Sequence, residues 1–163
     1  MENLDELDQK LLHLLQEDAR KPFTQIAEEV GRPDTTVHFR TKKLQEKGVV
    51  TRFAALVEPE ACGYHDASLL RIEIGGHIIP DISQDRTLTF AEELAEDDDY
   101  LLVAVAKEPM VIHAVLMGSS ENAIADKVNQ LKKAPDVVSV DSVSLAEVVK
   151  GWELSQIREF DSE

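Results

Sequence analysis

Between Arg32 and Arg52 the chain concentrates positive charge. Arg32, Arg40, Lys42, Lys43, Lys47 and Arg52 stand against only two anions, Asp34 and Glu46, a local charge of +4. Such a cluster suits phosphate neutralisation, because each cation that meets a phosphodiester releases condensed counterions. Interleaved with it are Thr35, Thr36, His38 and Phe39, side chains able to hydrogen-bond base edges or to touch a thymine methyl. These four are candidate base readers, and Lys42, Lys43 and Arg52 are candidate phosphate contacts, which hold register without reading sequence. Arg40 has two candidate partners, a phosphate or an acid of the first helix.

The cluster stands out because the rest of the chain is acidic. There are 17 Lys and Arg against 32 Asp and Glu, a net charge of −15. Residues 1–64 carry −3 and residues 65–163 carry −12. Excess carboxylate of this kind fits a halophilic protein working in a very salty cytoplasm, whose folded state gains stability with salt. The 163 residues, 43% of them apolar, allow one ordinary domain or two small ones with a real core. No apolar run approaches the roughly 20 residues of a membrane span. The acidic N-terminus lacks a signal region, so a soluble cytoplasmic protein is expected. The single cysteine, Cys62, excludes an internal disulfide framework and a multi-Cys zinc site, and is read as a small packed residue. His13, His38, His65, His77 and His113 contain no pair at the four-residue spacing of a helical metal site. Asp97-Asp98-Asp99 reads as a solvated acidic turn. No phosphate loop, nucleophile elbow or catalytic triad order is present, so neither an enzyme nor a cofactor is expected.

The elements that must position the cluster follow from hydrophobic spacing. Leu4, Leu7, Leu11, Leu14 and Leu15 form one helical stripe, with Asn3 as N-cap and Glu6 three residues on. A second helix spans about Thr24 to Val30, with Ile26, Ala27 and Val30 inward and Gly31 as a left-handed C-cap. A third opens at Pro33-Asp34 and runs to about Lys47. It is capped by Asp34, docks through Val37, Thr41 and Leu44, and stops at Gly48. Val49–Val57 is β-rich and reads as a wing. Three helices, a Gly turn and a wing describe a winged helix-turn-helix.

From Ala67 the period changes. Ser68–Ile74 alternates, and residues 75–88 are loop-like. Thr89 to Glu92 is a capping box opening a helix to about Asp97. Tyr100–Ala106 and Met110–Met117 are strands, read as the central pair. Ser119 caps a helix over Ser120–Lys133, stopped by Pro135, and Val137–Val149 is the last strand. The order β-α-β-β-α-β is ferredoxin-like, with both helices on one face of a four-stranded antiparallel sheet. Strands apolar on both faces leave the other face unmatched to water. Packing against a second copy resolves this, making a homodimer. The fold class is thus α+β, with a winged helix-turn-helix over 1–58, a linker over 59–66, a ferredoxin-like domain over 67–150, and an amphipathic tail over 151–163 with Trp152, Leu154, Ile157 and Phe160.

With these residues in place the chain resembles the Lrp/AsnC (feast/famine) family of prokaryotic transcription regulators. The matching residues are Leu4-Asp5, Asp8, Leu11-Leu12, Leu15-Gln16 and Asp18-Ala19-Arg20. They continue with Ile26-Ala27, Val30-Gly31, Val37-His38, Arg40, Lys42, Leu44 and Gly48-Val49-Val50. Pro59, Gly63-Tyr64, Val137, Val140 and Glu147-Val148-Val149-Lys150 are also family-like. The resemblance implies sequence-specific binding to double-stranded DNA and a RAM-type C-terminal domain. It also implies dimers that assemble further, often to octamers, and a small-molecule effector, commonly an amino acid. Two departures stand out. Arg32-Pro33 replaces the usual Leu-Ser before the third helix. The loop after the second RAM strand reads Ala106-Lys107-Glu108-Pro109-Met110, without the Gly-x-x-Asp often found there. Lys107, Glu108 and Met110, with Asp141, are the candidates for effector contact. The alternative reading, prompted by the −12 of the C-terminal part, is a ligand-binding module that acts through protein partners without DNA.

Overall fold

A computed structural model describes residues 4–75 and 80–149 of the chain. Asn3, His77, Lys150 and the tail with Trp152, Leu154, Ile157 and Phe160, to which the sequence assigned roles, lie outside the described residues. The chain divides into two compact units, one extending to Leu56 and the other spanning Val57–Val149.

The first unit holds α1 (Glu6–Glu17), α2 (Phe23–Val30) and α3 (Asp34–Glu46). Their stripes meet in one cluster of Leu11, Leu15, Ile26, Ala27 and Val37, flanked by Leu7, Leu14, Phe23 and Val30. The α1 cap differs from the sequence expectation. Asp5, not Asn3, is the N-cap, in a reciprocal box with Asp8. The Asp8 N–H donates to Asp5 Oδ1 at 2.9 Å, and the Asp5 N–H donates to Asp8 Oδ2 at 3.4 Å. A carboxylate at N3 serves this box as a Glu or Gln would. Gly31 ends α2 at φ 65°, a left-handed conformation that costs glycine nothing.

At α3 the expected Asp34 cap is corrected. Pro33 occupies the cap position with no side-chain bond. Asp34 is the first helical residue, its Oδ1 accepting the Thr35 N–H at 2.7 Å. The expected wing over Val49–Val57 is also corrected. Residues 51–58 carry no regular secondary structure, and Phe53, Leu56 and Val57 are exposed. Strand propensity is a preference for a pleated, half-buried surface, and nothing in a single chain pairs with this segment.

The second unit opens with a 3₁₀ turn, Pro59–Cys62. There follow β1 (Asp66–Ile74), α4 (Pro80–Ala95), β2 (Tyr100–Val105), β3 (Val111–Gly118), α5 (Glu121–Leu131) and β4 (Val137–Leu145). The sheet order is β2-β3-β1-β4, with β3 antiparallel to both β1 and β2 and β4 antiparallel to β1. So β1 and β3 are central and β2 is an edge, contrary to the expected central pair. The crossover through α4 leaves a one-strand gap between β1 and β2, and the β2–β3 hairpin fills it. Ser120 rather than Ser119 caps α5, accepting the Ala123 N–H at 3.2 Å.

The helix expected to open at Thr89 starts at Pro80 instead. Thr89 lies inside it, its hydroxyl donating to the Asp85 carbonyl at 3.0 Å. The capping-box pattern misled because Thr can satisfy its hydroxyl one turn back within a helix. Cys62, expected to be packed, is exposed, because the turn that carries it buries none of its residues.

Leu70, Ile72, Ile112, Ala114 and Leu116 line one sheet face beneath Ala91, Leu94, Ile124, Val128 and Leu131 of the helices. Ile112→Ala removes a fully buried side chain at the centre of this layer. It should lower the unfolding free energy by about 2–5 kcal/mol, read as a reduced denaturant midpoint with an unchanged slope.

Candidate nucleic-acid interface

α3 is divided lengthwise. Val37, Thr41 and Leu44 are buried on its inner edge, at the i, i+4, i+7 spacing of one face. Thr35, Phe39, Lys42 and Lys43 lie on the outer side and are exposed. Phe39 is 65% exposed. Thr36 is half-buried at the margin. Arg52, six residues beyond the helix, is exposed. Gly48, at φ 71°, turns the chain there, and the Val49 and Val50 N–H groups return to the Leu44 carbonyl at 2.9 and 3.1 Å.

Two of the candidate side chains hold the unit together. The His38 ring meets Phe23 of α2 edge-on, with centroids 4.4 Å apart and an interplanar angle of 88°. His38 remains exposed, so it links α2 to the outer edge of α3 while still open to a ligand. Arg40 turns toward α1, its Nη1 donating to Asp5 Oδ2 at 2.6 Å and to Asp8 Oδ1 at 3.2 Å. It neutralises the two carboxylates that the capping box brings together, and it fastens α3 to the start of α1. The Asp8 backbone N–H holds the Asp5 carboxyl below the usual carboxylate range; partial desolvation opposes this, and Arg40 reinforces it. Of the two partners open to it in the sequence, Arg40 has taken the acid.

The second unit gathers charge in two places. On the sheet face away from the helices, Arg71 of β1 lies in register with His113 of β3 and Asp141 of β4. Its guanidinium donates to Glu73 at 2.7 Å and to Glu108 at 3.1 Å. Glu73 also accepts the Ser139 hydroxyl at 2.8 Å. Arg71, with Ser139 adding to it, keeps the Glu73 carboxyl below its ordinary value. Two candidate effector residues, Glu108 and Asp141, therefore share one corner. Lys107 is exposed on the same hairpin. Met110 packs against the core instead, with φ 62° and its carbonyl accepting the Ile74 N–H at 2.8 Å. Arg71, Glu73 and Ser139 were missed by sequence reasoning. The available signal was their parity: Arg71 and Glu73 alternate with core residues from the same side as Leu69.

The second charged place is the turn before β2. Asp97 and Asp99 both bind the Lys127 ammonium of α5. The turn expected to be a solvated run is thus an ion-paired corner, because α5 brings a lysine across 28 residues of sequence to meet it. Among the described residues no group of three His, Cys, Asp or Glu is arranged to hold a metal ion, and no helix is long and apolar enough to cross a membrane.

Arg40→Ala should destabilise the first unit by about 1 kcal/mol, the scale of a partly exposed pair plus a weakened cap. It should leave the salt slope of any DNA binding unchanged, since Arg40 meets acids of its own chain. A carboxylate with a depressed folded pKa contributes stability above its unfolded pKa of about 3.9 and loses it as pH falls through the folded value. Thermal melts at stepped pH should therefore show the Arg40→Ala deficit at neutral pH, shrinking below about pH 4.

A model of the AsnC-type helix-turn-helix domain matches residues 4–45. An uncharacterized HTH-type transcriptional regulator of Pyrococcus furiosus is 30% identical over 158 residues, covering 94% of this chain and 99% of the relative. Among solved structures, a transcriptional regulatory protein of Pyrococcus furiosus from the AsnC family superposes with a TM-score of 0.74 at 27% identity, over 91% of this chain and 94% of that one. A transcriptional regulator of Neisseria meningitidis, solved in complex with L-Met, gives 0.82 at 22% identity, over 95% and 97%. Both units of the chain thus fall within the span that these proteins match. The chain belongs to the Lrp/AsnC family of helix-turn-helix transcription regulators.

Proposed function

We propose that the chain binds double-stranded DNA as a homodimer in the cytoplasm, placing the outer edge of α3 in the major groove. The observation that carries this reading is the division of α3, with Val37 and Leu44 buried while Phe39 is 65% exposed and Lys42 and Lys43 lie open. Thr35, Thr36, His38 and Phe39 meet base edges. Lys42, Lys43 and Arg52 meet phosphates, and Arg40 holds the helix in place. Arg40 aside, residues 32–52 carry five cations and two anions, and that excess faces a duplex through the rest of the protein's negative field.

The second unit supplies the dimer contact. Its uncovered sheet face presents Leu69, Leu102 and Val143 at 42%, 49% and 61% exposure. Leu69 pairs with Val115 and Val143, and Leu102 with Val115, so they form one patch. A second copy laid face to face removes this patch from water. Residues 51–57, apolar and unpaired within one chain, gain a partner in the same assembly. Further assembly to an octamer would follow the family pattern. An effector, an amino acid as in the L-Met complex of the meningococcal neighbour or another small molecule, contacts the corner of Lys107, Glu108 and Asp141 beside Arg71.

Selection of binding sites from random duplexes, followed by gel shifts over a range of KCl, tests the reading. Lys42→Ala combined with Lys43→Ala should weaken binding to all sequences and lower the log–log salt slope by about 0.9 for each lost phosphate contact. Thr36→Ala should lower affinity for the selected site more than for random DNA, and equal losses on both would reject direct readout at that residue. Leu69→Glu combined with Val143→Glu should convert the dimer to a folded monomer in sedimentation, since a charge on each side of the patch must then be desolvated on pairing.

A further inference from the structure

The cationic stretch around α3 contains two anions, and they stand in different surroundings. Glu46, at the last turn of the helix, has a cation of its own: Lys42 Nζ lies 3.7 Å from Glu46 Oε1, one turn back. Asp34, at the first turn, has no paired cation among the described residues. Its Oδ1 accepts the Thr35 N–H at 2.7 Å, which leaves Oδ2 open. The helix does not depend on this carboxylate as a cap. The Thr36 and Val37 N–H groups both return to the Pro33 carbonyl, at 2.9 and 3.2 Å, and Pro33 holds the cap position without a side-chain bond. The helix dipole favours an anion at this end by a small, salt-screened amount, and that benefit is offset once a polyanion approaches.

Asp34 is exposed. It stands at the end of α3 that leads into a groove, since recognition helices meet base edges with their N-terminal residues. It directly precedes Thr35 and lies one turn before His38, on the same flank of the helix. A hydroxyl can donate or accept a hydrogen bond, whereas a carboxylate can only accept. In the major groove guanine offers acceptors at N7 and O6, and thymine an acceptor and a methyl group. Adenine offers an amino group crowded by the N7 acceptor. Cytosine presents a donor, its N4 amino group. A carboxylate desolvated against lone pairs or a methyl group is left unpaired, whereas against cytosine it is paired. Such an anion selects chiefly by what it rejects.

We propose that Asp34 is a specificity-determining residue that accepts a hydrogen bond from the N4 amino group of one cytosine in each half-site, through the oxygen that Thr35 leaves open. The inference rests on the DNA-binding reading above and uses the geometry of α3 alone. Asp34 lowers affinity for duplexes that lack this cytosine. It thereby widens the gap between selected and random DNA without adding a phosphate contact.

The experiment uses the full chain. Sites are selected from random duplexes with the unaltered protein, with Asp34→Asn and with Asp34→Ala. Gel shifts then measure affinity on the selected duplex, on the same duplex with each other base pair at the affected position, and on random DNA. The unaltered protein should select cytosine at one position of each half-site. Replacing that pair should lower its affinity at least about fivefold, the lower end of what one good base contact discriminates. Asp34→Asn keeps an oxygen for the Thr35 N–H and removes the charge. It should move the preference at that position from cytosine to adenine, whose N6 and N7 suit an amide. Asp34→Ala should show no preference there beyond about twofold. Both variants should bind random DNA more tightly than the unaltered protein, with the salt slope unchanged because no phosphate contact has been gained. A cytosine preference that persists in both variants, an affected position that is not cytosine, or an equal change on every duplex overturns the role of Asp34 while leaving the DNA-binding reading intact. An unaltered protein that selects no sequence removes that reading and this one with it. Asp34→Asn is the decisive variant, since a weakened helix lowers affinity generally and does not exchange one base for another.

Discussion

One helix has to satisfy two environments at once, and that requirement organises the N-terminal unit. α3 buries Val37, Thr41 and Leu44 in the three-helix core and leaves Thr35, Phe39, Lys42 and Lys43 in water. The apolar edge alone would fix its depth poorly, since a three-residue stripe can rock about its own axis. Arg40 and His38 stand on either side of that stripe and remove the freedom. Arg40 is tied to Asp5 and Asp8 of α1, and His38 to Phe23 of α2. The capping box of α1 gains from the same contact, because two carboxylates held at adjacent positions need a nearby cation to offset their repulsion.

Charge is distributed to match. The chain as a whole repels a polyanion, with −15 in total, and the stretch around α3 reverses the sign. Part of the acidic second unit's charge is used internally. Lys127 is shared by Asp97 and Asp99, and Arg71 by Glu73 and Glu108. These are partly exposed pairs, each worth little alone. Their effect is positional: one fastens the turn before β2 to α5, the other fastens the β2–β3 hairpin to β1.

The sheet shows the same division as α3, one dimension higher. Its covered face is filled by α4 and α5. Its open face is apolar at one end, around Leu69, Val115 and Val143, and polar at the other, around Arg71 and Glu73. An apolar end favours association, and a charged end restricts which orientations satisfy it.

Hydrophobic spacing by itself determined the three helices, the Gly31 turn, the β-α-β-β-α-β order and the buried edge of α3, because local periodicity records which side of an element meets the core. The cluster of candidate DNA-contacting residues was legible for the same reason, being, Arg52 apart, contiguous on one helix. The failures share a different cause. The Asp5–Asp8 cap outcompeted Asn3, Thr89 bonded within a helix that starts nine residues earlier, and Val49–Val57 found no strand to pair with. Each outcome was decided by a partner that local pattern does not specify. Only the tertiary structure could commit Arg40 to α1, bring Arg71 to Glu108 across 37 residues, and join Tyr64 to Asp99 across 35. Long-range polar pairs leave no period in a sequence, since a single charged residue satisfies them wherever the fold happens to bring it.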